Sequence, residues 1–240
     1  MKKMREVRPI YIILFVLAVT AGIFFTVINK KSVTVSQPTL VAVQNNQSSE
    51  APAPQNSSAP IQEALVNNPN ITPDFQPPLD RAGERLTKKP FGIFITPQNS
   101  PVQPEKFTGY HTGADFEIFP EELGADVAVH AVCSGKLLSK KYASGYGGVM
   151  VQACMLENNP ITVIYGHLKL ASIATATGSN LNIGDTIGIL GAAYSQETNG
   201  ERKHLHLGFH KGTAVSILGY VQNKADLSEW VDPCLYVCYD

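Results

Sequence analysis

Apolar and polar positions divide the chain into three regimes. Residues Pro9 to Asn29, PIYIILFVLAVTAGIFFTVIN, are uncharged and mostly apolar over about the length that ~30 Å of hydrocarbon requires, which predicts a transmembrane helix. From Ser32 to about Asp80 large apolar residues thin out, and Ser, Gln, Asn, Pro and Ala dominate. Such a segment buries too little surface to offset its ordering entropy and is expected to be a flexible tether. As a coil it would span roughly 40 Å, enough to hold a domain away from a membrane. From about Arg81 short runs rich in β-branched and aromatic residues begin. Phe91 to Pro97, Asp115 to Phe119, Val127 to Tyr142, Val149 to Leu156, Ile161 to His167, Thr186 to Leu190 and His204 to His210 read as strands separated by Gly, Asn and Ser clusters. Helical periodicity is scarce, with at most one turn at Pro120 to Leu123. The expected fold class is mainly β, an antiparallel sandwich or barrel-like domain, preceded by one transmembrane helix and a disordered linker.

The expected domains are residues 1–31 as cytoplasmic N-terminus and single anchor, 32–80 as linker, and 81–240 as the folded domain. Lys2, Lys3, Arg5 and Arg8 precede the apolar run, whereas after Lys30 and Lys31 no Lys or Arg occurs until Arg81. The positive-inside rule therefore places the N-terminus in the cytoplasm and the bulk of the chain outside. A cleaved signal peptide is the competing reading. Its apolar core would run ~7 to 15 residues, while here the run continues past Val19-Thr20-Ala21, the nearest approach to a cleavage site. The formal net charge is −1 and no basic cluster stands out, so no nucleic-acid partner is expected.

Four cysteines lie in the part read as exported, where disulfides persist. They allow three connectivities. If the hairpin from Val127 to Leu156 turns near Gly145, residues whose numbers sum to about 290 face one another, and Cys133 falls close to Cys154. A bridge there would close a loop of about 20 residues and add about 3 kcal/mol. Cys234 and Cys238 are left for each other or for an external partner.

The candidate chemistry starts from His204-Leu205-His206-Leu207-Gly208-Phe209. In a strand, successive side chains alternate faces, so His204 and His206 share one face while Leu205, Leu207 and Phe209 pack behind them. Any half-buried strand shows such alternation, and partners must come from elsewhere. Tyr110-His111-Thr112-Gly113-Ala114-Asp115 and Tyr165-Gly166-His167-Leu168 supply them. The spacing of His111 and Asp115 would stack them on one helix face, but Gly113 and the β-rich setting argue for a loop leading into a strand. His111, Asp115 and one histidine of the pair give three N and O ligands and leave a zinc ion one open position, the arrangement of a catalytic site. The other two histidines are then free for proton transfer or oxyanion stabilisation. The same ligand set also suits non-haem iron, which metal analysis would separate from zinc.

HTGAD, YGHL and HLHLGF, in this order and at these intervals, resemble the lysostaphin/LytM-type zinc metallopeptidases, which cut peptide cross-links of bacterial peptidoglycan. The similarity extends to Val129-x-Ala131-x-x-x-Gly135, Gly145-Tyr146-Gly147-Gly148 and Gly184-Asp185-x-Ile187-Gly188, so it covers roughly residues 105 to 235. The resemblance implies a fold of the duplicated hybrid motif type and one zinc ion per domain, held by His111, Asp115 and His206. It implies His167 and His204 as catalytic histidines, and stem or cross-bridge peptides of peptidoglycan as the substrate. Joined to the apolar helix, it implies an endopeptidase anchored in a bacterial cytoplasmic (inner) membrane, with its catalytic domain outside the cytoplasm and room for a regulatory protein partner. The alternative is a non-catalytic binding or regulatory module of the same fold that activates another cell-wall hydrolase. Modules of that kind lack ligands or catalytic histidines, whereas here all the positions are filled.

One stretch departs from the family pattern. Where the family has a short Gly-rich turn before its HLH, this chain has the longer run Ala192 to Lys203. Arg202 and Lys203 are expected there either to meet a carboxylate of an acidic stem peptide or to be solvated loop charges. Glu117 shares parity with Asp115 and is expected as a solvated strand-edge carboxylate. His130 is read as structural or exposed, and Tyr165 as either a groove hydroxyl or a core residue. His210 lies roughly 13 Å along the strand from His206, too far to share its metal.

Overall fold

A computed structural model describes residues 74–239. The expected transmembrane helix and nearly all of the expected linker fall outside the described residues, and among the described residues no helix is long and apolar enough to cross a membrane. Packing begins before Arg81, because Phe75 and Leu79 are buried in the main core.

Strands dominate. In chain order they are β1 (Phe94–Ile95), β2 (Gly109–His111), β3 (Gly113–Glu117), β4 (Ala128–His130), β5 (Gly135–Ala143) and β6 (Gly147–Leu156). They continue as β7 (Asn159–Gly166), β8 (Asn180–Leu181), β9 (Thr186–Ile189), β10 (His204–Lys211), β11 (Tyr220–Val221) and β12 (Trp230–Val231). Helical segments are short, and a 3₁₀ turn at Pro120–Glu122 falls where one turn was expected.

The largest sheet runs β12-β10-β7-β6-β5-β8, with β3 also paired to β10. Smaller sheets are β1-β2-β11 and β4-β9. The pairings are antiparallel throughout, in line with the mainly β expectation. The barrel-like part of that expectation is corrected. The largest sheet stays open, ending in the two-residue strands β8 and β12, which are too short to carry a ladder round to closure.

The β5–β6 hairpin follows the expected register from Ala143 opposite Gly147 to Ser139 opposite Val151, and a bulge then sets Leu137 opposite Gln152. Cys133 and Cys154 are joined in a disulfide, with Cα atoms 6.1 Å apart. A second bridge joins Cys234 to Cys238. The single strand read from Val127 to Tyr142 is instead two, β4 and β5, on different sheets. The backbone between them finds partners off the ladder: the Val132 amide donates to the Tyr165 hydroxyl (3.0 Å), and the Cys133 carbonyl accepts from Gln152 Nε2 (2.9 Å). With other polar groups bonded to backbone of Gln76, Gly184 and Asp185, this segment has no need of a neighbouring strand. Tyr165 is accordingly a core residue, completed by a bond from its hydroxyl to Gln152 Oε1 (2.8 Å).

Leu205, Leu207 and Phe209 of β10 are fully buried with Ala114 and Phe116 of β3 and Val163 and Tyr165 of β7. Each large side chain so buried contributes about 1.5–3 kcal/mol, and a one-residue slip would turn the set to the opposite face. This apolar face therefore fixes the register of β10, and with it the position of His204 and His206.

Replacing both Cys133 and Cys154 with alanine is expected to lower stability by about 3 kcal/mol. Chemical denaturation of the non-reduced proteins checks this, and an unchanged midpoint would contradict it.

Candidate metal centre

Directly opposed residues of an antiparallel pair share a face. In the β3–β10 register Asp115 is opposite His206 and Glu117 is opposite His204, so all four polar side chains gather on one side of the sheet. His111 ends β2, two residues before β3 begins, and the Thr112 amide and hydroxyl between them are tied to the carbonyls of Gly219 (3.1 Å) and Leu218 (2.5 Å). Gly113 makes the junction fit, since a Cβ there would lie 2.3 Å from the Leu207 carbonyl oxygen and 2.8 Å from the His206 ring.

His111 Nε2, Asp115 Oδ1 and His206 Nδ1 form a triangle with sides of 3.0, 3.1 and 3.2 Å, and all three residues are buried. Two ligands on a tetrahedral zinc with bonds of roughly 2.0–2.1 Å are about 3.3–3.4 Å apart, so a small expansion of the triangle would accept the ion. The donor chemistry fits as well. His111 Nδ1–H donates to the Pro90 carbonyl (3.1 Å), which leaves the Nε2 lone pair facing the triangle. Burial pushes the His206 imidazole down to about 4, against the pull of Asp115, so it is neutral at pH 7. Burial alone would raise the pKa of Asp115, but His111 and His204 hold it well below the usual carboxylate range. Three acceptors this close repel one another unless a cation or a proton lies between them. The three side chains therefore suit one divalent cation.

His167 follows β7 with φ 64°, a left-handed conformation uncommon outside glycine, and its carbonyl is held by the Gly191 amide (2.8 Å). The turn sets its ring 4.2 Å from the ring of His204. Burial, then the neighbouring His204, holds the His167 pKa well below the usual range, and its Nδ1 is buried without a hydrogen-bond partner. His204 Nδ1–H donates to the Arg202 carbonyl (2.9 Å), leaving Nε2 on the cleft side, 3.3 Å from Asp115 Oδ2. The structure thus brings His111, Asp115, His167, His204 and His206 into one place.

A cleft opens over Asp115, His167, His204 and His206, lined further by Tyr146, Tyr220, Lys89 and the 217–219 loop, while His111 is fully buried. Tyr146 lies edge-on to His206 with centroids 5.2 Å apart. Gly166 makes room for it, because a Cβ there would come within 2.4 Å of the Tyr146 ring. Tyr220 sits 5.2 Å from the His111 ring, and its hydroxyl accepts from Lys89 Nζ (3.2 Å). Lys89 is buried and paired with Glu105 (2.5 Å). Motif reading passes over these wall residues. Tyr146 is signalled by Gly145-Tyr146-Gly147-Gly148, whereas Tyr220 and Lys89 reach the site through β11 and a loop that carry no motif.

Two expectations about charges are corrected. Arg202 and Lys203 are neither solvated nor free to meet a substrate carboxylate. Arg202 binds Asp115 and Glu117, and Lys203 Nζ donates to the carbonyls of Glu122 (3.0 Å) and Ala125. Glu117 is likewise buried rather than a solvated edge residue, paired to Arg202 and to Lys88. His210 packs against Trp230 and does not line the cleft, while His130 bonds the Gly184 carbonyl.

Residues 109–217 match the model of peptidase family M23, a span that contains all five site residues. The resemblance carried by HTGAD, YGHL and HLHLGF therefore holds at the level of the family. No curated protein matches the chain. Among solved structures, Csd3 of Helicobacter pylori is 20% identical over 68% of this chain and 34% of its own, with a TM-score of 0.41. This chain thus spans about a third of Csd3. LytU is 20% identical over 63% of this chain and 83% of its own, with a TM-score of 0.42. CbpA from L. salivarius REN is 26% identical over 62% of this chain and 93% of its own, with a TM-score of 0.38.

The buried pair behind Tyr220 gives a pH dependence. Burial alone would raise Glu105 above its ordinary 4.5, but Lys89, the Phe107 amide and the Ser100 hydroxyl more than offset this and hold it lower. A carboxylate depressed on folding contributes stability that is present above its unfolded value and is lost as pH falls through the folded one. Glu105→Gln is expected to cost about 1–2 kcal/mol at neutral pH, allowing for solvent screening. The gap from wild type should close as pH falls below 4.5. Denaturation over a pH series checks it, and a gap independent of pH would contradict it.

Proposed function

We propose that the chain is a membrane-anchored, extracytoplasmic zinc endopeptidase that hydrolyses peptide cross-links of peptidoglycan. The observation that carries this reading is the buried triangle of His111, Asp115 and His206 beside a second, unligated pair of histidines, within a segment that matches a peptidase family. The anchor and the location outside the cytoplasm rest on the apolar run Pro9 to Asn29 and the lysines and arginines around it.

His111, Asp115 and His206 would hold the ion through Nε2, Oδ1 and Nδ1. When bound, zinc supplies polarisation of the scissile carbonyl and a water acidified toward neutrality. His167 and His204 do the proton work. His167 is neutral at physiological pH because burial disfavours its charge, so one of its ring nitrogens is free to accept a proton. His204 is held in orientation by its bond to the Arg202 carbonyl. One ring of the pair takes the proton of the attacking water and returns it to the leaving amine, and the other donates to the developing oxyanion. Tyr146, Tyr220 and the 217–219 loop wall the cleft, excluding water from the substrate and orienting the peptide.

The ligand and proton-transfer roles separate by mutation. His111→Ala and His206→Ala are expected to lose both zinc and activity. His167→Ala and His204→Ala are expected to keep zinc and lose about 100-fold or more in rate. Metal content of each purified protein, measured beside release of amine groups from isolated cell walls, checks both. A zinc-loaded wild-type chain that releases no amines would support the non-catalytic module of the same fold instead.

A further inference from the structure

We propose that Arg202 is a positioning residue of the metal centre, an inference that rests on the zinc reading above. Its side chain would fix which oxygen of Asp115 faces the ion, while its carbonyl orients His204.

The guanidinium is buried two residues before His204. Its Nη2 donates to Asp115 Oδ2 (2.9 Å), the oxygen that lies outside the triangle, while Oδ1 is the one 3.1 Å from His206 Nδ1. Its Nε donates to both oxygens of Glu117 (2.9 and 3.0 Å), and Nη2 also reaches Glu117 Oε1. Glu117 stands two residues from Asp115 on the same face of β3 and is held from outside by Lys88 Nζ (3.3 Å). The planar fork therefore spans two carboxylates and sets the rotation of one against the other. A lysine, with its charge at one point, lacks the spread of donors to do this. The Arg202 carbonyl accepts from His204 Nδ1–H (2.9 Å), so one residue orients both a ligand and a proton-transfer group.

The loop that carries Arg202 is built to hold it still. Ser195 caps the turn Gln196–Thr198, Glu201 is paired with Lys106 (3.0 Å), and Lys203 Nζ is bound to two carbonyls of the Pro120 turn region. The arginine is thus anchored by its neighbour on each side. The long run Ala192 to Lys203, which departs from the short turn of the family, is on this reading the device that delivers a cation to the back of Asp115.

Removing Arg202 alone would change two things with opposite signs. The carboxylate would lose its orientation, which weakens zinc binding, and a positive charge would leave the neighbourhood, which strengthens it. Arg202→Met combined with Glu117→Gln removes one charge of each sign and isolates the orientation. Titration of zinc into the full-length chain against a chromophoric chelator is expected to give a dissociation constant about 10- to 100-fold weaker for this double variant. Arg202→Lys, which keeps the charge and most of the volume, is expected to fall between, and its cobalt-loaded form should show shifted visible absorption bands. Variants are compared once circular dichroism shows them folded. A dissociation constant unchanged from wild type in Arg202→Lys, or in the double variant, would overturn the positioning role. His206→Ala serves as the reference in the same titration. If wild type binds zinc no better than His206→Ala, the zinc reading itself fails, and the role of Arg202 falls with it.

Discussion

Asp115 lies directly across from His206 because β3 and β10 pair in one register, and the cleft depends on that constraint. Leu205, Leu207 and Phe209 hold it from behind, since slipping β10 by one position would bring three large apolar side chains out of the core and carry both histidines into it. The cost would be several kcal/mol, comparable to the whole stability of a domain of this size. The same face-to-face arrangement brings Glu117 opposite His204, and Gly113 and Gly166 let neighbouring groups close over the strand.

Behind the candidate ligands the fold keeps charges that a purely structural β domain would avoid. Asp115, Glu117 and Arg202 are buried together, and Lys89 with Glu105 forms a second buried pair under Tyr220. Desolvating such groups costs several kcal/mol per ion, and well-packed apolar residues often do as well or better for stability. His167 adds backbone strain of about 1–3 kcal/mol through its left-handed turn, and its Nδ1 is left unpaired. Asp115, Arg202, Lys89 and His167 line one cleft, and Glu117 and Glu105 are paired to two of them. Burial keeps His167 and His206 neutral, and the neighbouring His111 and His204 keep Asp115 ionised, the protonation states that cation binding and proton transfer require.

The parts of this arrangement that follow from period and turn were legible in the sequence. Alternation in His204-Leu205-His206-Leu207 predicts the shared face, and the glycines around Tyr146 predict the hairpin whose register brings Cys133 near Cys154. What the sequence hid depends on partners distant along the chain. Val132 and Cys133 leave the ladder because Tyr165 and Gln152 offer them hydrogen bonds, and no local pattern announces that. Arg202 and Lys203 look like loop charges until Glu117, Asp115 and the carbonyls of Glu122 and Ala125 are placed around them. The assignment of His206 to the ion and of His204 to the substrate came from family resemblance. In the geometry His206 Nδ1 lies in the triangle with His111 Nε2 and Asp115 Oδ1, while His204 Nε2 lies outside it, 3.3 Å from Asp115 Oδ2, with its ring 4.2 Å from that of His167.

The most direct measurement is mass spectrometry of muropeptides from isolated peptidoglycan before and after digestion by the zinc-loaded chain. Hydrolysis of peptide cross-links predicts that linked dimers are converted to monomers, each cleavage adding one water and freeing one amine, and that a chelator blocks the conversion. Unchanged cross-linked species in the presence of zinc, or conversion that persists after the metal is removed, would contradict it.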